Sequence, residues 1–151
     1  MIVEYNTTTG AISGAHYGRV WNASEWVNYE TNNPGKAVIS ISDEYTTTFQ
    51  KYIQINDGVG TLHDLTVMDV SVSVSASEFG HYPLLSDNSA YLDFTGVPEG
   101  STITIDASSV GTMDASETFR FTAQDAGLYE IFFSKVAHEG AYFQVLASDN
   151  I

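Results

Sequence analysis

The sequence predicts an all-β protein, built as a small β-rich module over residues 1–64 followed by an antiparallel β-sandwich over 66–148. Three observations carry that expectation. Apolar residues alternate with polar ones at period two through most of the C-terminal half, as in half-buried strands. Turn chemistry recurs about every 8–12 residues, the spacing of a sandwich. In that half no window of ~11 residues or more shows a clean helical period.

The C-terminal strands follow in order. Val70, Val72 and Val74 alternate with Ser71, Ser73 and Ser75. A polar, glycine-bearing connection is expected over 78–89. Residues 90–94 put Leu92 and Phe94 on one face. Gly96-Val97-Pro98-Glu99-Gly100 then supplies a turn, because proline fixes one φ and glycine tolerates a positive one. Alternation resumes over 102–106, over 117–122 with Phe119 and Phe121 together, and over 128–133 with Tyr129, Ile131 and Phe133 together. Residues 141–146 close the series, and 107–113 has room for a short seventh strand.

The first 64 residues are less regular. Residues 1–5 and 11–17 flank Asn6-Thr7-Thr8-Thr9-Gly10, which predicts an opening hairpin. A short strand is expected at 38–41. Ser42 is placed to cap a short helix through Tyr45, although the β-branched run Thr46-Thr47-Thr48 opposes a long one. Residues 52–55, then Asn56-Asp57-Gly58 and Val59, form a second hairpin signal. A module this small has a core worth only ~3–5 kcal/mol, so a partner is expected to complete it.

Composition narrows the function. The 151 residues carry 5 Lys+Arg against 19 Asp+Glu, a formal charge of −14. Binding to phosphate backbones or anionic lipid needs cations, so neither nucleic acid nor a membrane surface is an expected partner. The sequence has no cysteine, which excludes disulfides and thiolate chemistry. No stretch reaches the ~20 apolar residues of a membrane span, and the start lacks a signal-peptide layout, so synthesis in the cytoplasm is expected.

Candidate chemistry is sparse. His16, His63, His81 and His138 share no metal-ligand spacing and are expected as exposed loop residues. Asp87, Asp93, Glu99, Asp106, Asp114, Glu117 and Asp125 fall mostly at strand ends and turns, where aspartate mimics turn backbone. No nucleophile elbow and no phosphate loop occurs. Catalytic residues, a metal and a cofactor are therefore not expected. One cluster points to recognition: Tyr17, Trp21, Trp26 and Tyr29, which holds both tryptophans of the chain. Such aromatics form a module core, an interface with a neighbouring subunit, or a stacking platform for sugar rings.

Two resemblances follow. Asp125-Ala126-Gly127-Leu128-Tyr129 resembles the Asp-x-Gly-x-Tyr signature of immunoglobulin-like domains, which implies that the Tyr129 hydroxyl bonds back to a buried carbonyl at a strand corner. Position 131, where antibody-type domains carry a cysteine, is Ile131, and no tryptophan follows Trp26. The resemblance is thus to a cysteine-free immunoglobulin-like sandwich. The run Leu92 to Asp106, with that corner, is similar over residues 85–147 to small accessory proteins of tailed bacteriophages. Many of these pair a short N-terminal β module with an immunoglobulin-like domain, and Tyr5-Asn6-Thr7-Thr8-Thr9-Gly10 resembles their starts. The resemblance implies a virion structural protein, a capsid decoration or a tail or fibre-attachment component, whose partners are other virion proteins and copies of itself. A lectin-like host-surface module is the alternative.

Overall fold

A computed structural model describes residues 1–16, 21–41 and 51–150. Over the described residues the chain is all-β with one short helix, and it divides into two compact units, Met1–Thr66 and Val67–Ile151.

In the first unit, β1 (Ile2–Asn6) lies between β2 (Ile12–His16) and β3 (Lys36–Ser40), antiparallel to both. The β1–β2 turn is closed by Asn6, whose Oδ1 accepts from the amides of Thr8 and Thr9 (2.9 Å each). Gly10 then takes a left-handed φ of 72°. Its Cα faces the Ile53 carbonyl so closely that a Cβ would collide with it. The hairpin β4 (Lys51–Asn56) and β5 (Val59–Asp64) turns on Asp57 and Gly58, both at positive φ as a two-residue hairpin turn requires. Alternation along β1 sends Val3 and Tyr5 to one face. There Val3, Ile41 and Ile53 form a small core with Met1, Ile12, Ile39 and Leu62.

The opposite face meets an element not read from the sequence. Residues Ala23–Asn32 form a helix, α1, which packs on β3. It starts on a capping box: Asn22 Oδ1 accepts from the Glu25 amide (3.0 Å), and Glu25 Oε2 accepts from the Asn22 amide (2.9 Å). It stops at Asn33, because the residue before Pro34 is driven out of the helical region. The expected helix after Ser42 lies outside the described residues.

The second unit has two main sheets. The larger runs β11 (Ser108–Thr112), β10 (Thr102–Ile105), β13 (Gly127–Ser134), β15 (Ala141–Ser148) and β8 (His81–Leu85). The smaller runs β12 (Thr118–Phe121), β9 (Leu92–Thr95) and β7 (Ser71–Val72). Two-residue pieces, β6 (Thr66–Val67) and β14 (His138–Glu139), complete the count. One core joins the sheets: Leu92, Phe94 and Phe121 from the smaller with Ile103, Ile131, Phe133 and Val145 from the larger. Phe94 contacts Phe133 (5.6 Å) and Phe143 (5.2 Å) across the gap, in the tilted geometries aromatic pairs favour.

Two expectations are corrected here. The valine alternation gives a regular strand of only two residues: Val70 and Val72 pack on the core, but Val74 is exposed. The connection expected over 78–89 contains β8, which pairs in parallel with β15 at the edge of the larger sheet. Pro83 breaks the strand signal, yet an edge is where proline is tolerated, since its missing N–H is not needed on the open side.

Candidate functional site

The aromatic residues singled out in the first unit assemble between the β1–β2 hairpin and α1. A register shift in the β1–β2 pairing places Ser13 and Gly14 near Glu4. A Cβ at Gly14 would collide with the Glu4 carboxylate, so glycine leaves that carboxylate room. Glu4 Oε1 lies 3.3 Å from His16 Nε2. This approach is not aligned as a hydrogen bond, so the pair acts by charge when the imidazole is protonated.

Trp21 stands over this pair, its ring 5.4 Å from that of His16. Trp26 and Tyr29, one helical turn apart, meet it edge-on at 6.4 and 5.7 Å. Trp26 Nε1 donates to the Trp21 carbonyl (3.1 Å), which ties the approach segment to the helix. Burial pushes the Tyr29 hydroxyl above its ordinary pKa, the Glu4 charge adds to this, and a bond with Ser13 opposes it. Tyr5 is raised in the same direction by burial and then by Glu30. The structure thus brings together Trp21, Trp26 and Tyr29, each partly buried; Tyr17 lies outside the described residues. Glu4 is not singled out by the sequence, and His16 reads there as an exposed loop histidine. Their meeting depends on β1–β2 register and a register shift, which leave no local signature.

These rings spend much of their area on one another, so the cluster is a shallow aromatic layer rather than an open platform. The helix carrying it has no fully buried residue, and Val27 is 63% exposed. A partly buried aromatic cluster and an exposed valine on one helix leave it suited to packing against another surface.

At the corner singled out in the second unit, Tyr129 Oη donates to the Asp125 carbonyl (2.9 Å) while its ring meets Phe121 edge-on (5.3 Å). Asp125 is exposed, so the accepting carbonyl lies at the surface and not in the interior as expected. Gly127 connects the two.

The histidines are not exposed loop residues: all four lie in strands and are partly buried. The Thr61 hydroxyl and His63 Nε2 are 2.9 Å apart, and His138 Nδ1 lies 2.7 Å from the Val136 carbonyl. Several carboxylates are engaged in holding backbone or a cation. Asp87 accepts from the Ala90 and Ser89 amides, which lower its pKa. Asp114 is lowered by the Ser116 hydroxyl and then its amide. Asp106 accepts from the Glu130 amide (2.9 Å). Asp93 receives a two-pronged bond from Arg120 (2.8 and 2.9 Å), which lowers its pKa, and the same guanidinium stacks on Tyr91 at 3.7 Å. Among the described residues no three of His, Asp and Glu gather as metal ligands, and no helix is long and apolar enough to cross a membrane. Comparison with protein-family models, curated proteins and solved structures returned no match.

Proposed function

We propose that this protein is a non-enzymatic structural component of a tailed-phage virion, a capsid decoration or a tail or fibre-attachment protein, which acts by protein–protein assembly. The observation that carries the reading is the half-covered aromatic layer of the first unit, borne by a surface helix with no fully buried residue. Packing against a neighbouring virion protein would complete its burial, and burial of aromatics at an interface costs little side-chain entropy.

The second unit is read as an immunoglobulin-like sandwich. Its strand distribution supports that: β7, β9 and β12 form one sheet, while β10, β13 and β15 share the other, as strands A, B, E and C, F, G do in such domains. The Tyr129 bond at the start of β13 is in keeping with it.

Because the tryptophans also pack within their own unit, Trp21→Ala with Trp26→Ala would unsettle the module as well as an interface. Val27→Lys is the cleaner variant, since Val27 is mostly exposed. Purified particles are expected to contain the wild-type chain and to lose most of the Val27→Lys chain. Equal incorporation of the two would remove the exposed side of α1 from the account. A lectin-like role is the second reading, favoured by the Glu4–His16 pair beside the rings; binding on a glycan array, lost in Glu4→Gln, would support it instead.

A further inference from the structure

Strand β2 ends on a histidine whose two neutral forms are both poorly served. His16 Nε2 is buried and lies 3.3 Å from Glu4 Oε1, off the line of a hydrogen bond. With the proton on Nδ1, a lone pair on Nε2 faces a carboxylate oxygen. With the proton on Nε2, the N–H is misaligned with that oxygen. Either way a buried nitrogen goes without its bond, which costs free energy. The imidazolium has no such difficulty, because its attraction to the carboxylate is Coulombic and tolerates the angle. The Trp21 ring adds to this, its centroid 5.4 Å from that of His16 and so within reach of a cation beside an indole.

The surrounding charges favour the same form. On β1 the ionisable groups are Glu4 and Tyr5, and on α1 they are Glu25, Tyr29 and Glu30. The Tyr29 hydroxyl stays protonated, since burial and the Glu4 charge raise its pKa, and Tyr5 is raised by burial and Glu30. What is left charged on these two elements is acidic. Among the described residues, the Met1 ammonium is held on the β3 side by the Ile41 carbonyl (3.3 Å). Lys36 sits opposite Asn6, whereas His16 sits opposite Ile2, and Lys51 is paired with Asp64. Tyr52 of β4, with His63 beside it, bridges to Ala11 at the other end of β2. Trp21 carries the effect to α1, since its ring meets those of Trp26 and Tyr29 and its carbonyl accepts from Trp26 Nε1.

We infer that the Glu4–His16 pair makes the seating of Trp21, and with it of α1 on the β1–β2 hairpin, depend on pH: firm with His16 protonated, looser once it is neutral. Attraction that exists only for the protonated form stabilises the fold on the acid side and is lost as pH rises. The attachment surface proposed above is therefore best formed on the acid side. The inference rests on that reading for its purpose, but the switch belongs to the free chain, so each can fail alone.

The test is thermal unfolding of the full chain, followed by tryptophan emission at about pH 5.5 and about pH 8, which span the range where imidazoles change charge. Both tryptophans lie in the first unit, so the signal reports that unit. The expected midpoint is higher at the lower pH by about 2–5 °C, as for one partly exposed ion pair in a module of this size. His16→Gln is expected to abolish the difference, Glu4→Gln to shrink it, and His63→Gln to leave it unchanged. Should His16→Gln give no cooperative transition, Glu4→Gln, which keeps the shape of the side chain, is read in its place. Equal midpoints, a higher midpoint at the higher pH, or a difference that survives His16→Gln or Glu4→Gln in full overturns the inference. None of these outcomes bears on whether particles hold the chain, which keeps the two readings apart.

Discussion

Single side chains do separable work in this chain. Phe94 is fully buried at the junction of the two sheets and touches Phe119, Phe133 and Phe143. Phe94→Ala is therefore expected to cost about 3–5 kcal/mol, through lost transfer energy and a cavity that rigid neighbours cannot close. Urea unfolding of the C-terminal unit checks it. Tyr129→Phe keeps the ring and removes only the bond to the Asp125 carbonyl. Since that carbonyl can turn to water, the expected loss is about 0.5–1.5 kcal/mol in the same experiment. Residue by residue, the core was the most legible part of the sequence. Leu92, Phe94, Ile131 and Phe133 were paired on the correct faces from period two alone, because a half-buried strand has no other way to distribute its side chains. The Glu4–His16 contact had no comparable signal, since it arises only when a shifted register brings two strands together.

Elements depend on their ends and on the partners of their polar groups. Asn22→Ala removes the cap of α1 and is expected to cost about 1 kcal/mol of helix stability, visible as faster amide exchange across the first turn. That helix was not read from the sequence because its apolar residues do not form a stripe of helical period. Two signals were present all the same: the Asn22-x-x-Glu25 capping box and the Pro34-Gly35 stop. β8 was missed for a different reason, because Pro83 argues against a strand unless the strand is known to be an edge. Across β9 and β12, the Arg120 hydrogen bond and charge hold Asp93 below its ordinary pKa, so its folded value lies under its unfolded one. Such a group contributes stability above the unfolded pKa of ~3.9 and loses it as pH falls through the folded value. Asp87 and Asp114 act in the same direction. The melting temperature is thus expected to fall below about pH 4, and Asp93→Asn to flatten part of that fall.

At the scale of the molecule, the two units are unequal. Among the described residues the first unit buries five apolar side chains, Ile2, Val3, Val38, Ile41 and Ile53, against thirteen in the second. A fragment spanning residues 67–151 is expected to melt as one cooperative transition, while residues 1–66 alone are expected to be marginal, as thermal circular dichroism would show. All-β class was legible because turn spacing and alternation repeat along the chain. Function was far less so, since assembly surfaces carry no motif. The measurement that bears most directly on the proposed role is quantitative mass spectrometry of gradient-purified particles. A structural component appears at a fixed copy number compatible with capsid or tail symmetry. Its absence from particles, or a trace amount varying between preparations, would contradict the proposal.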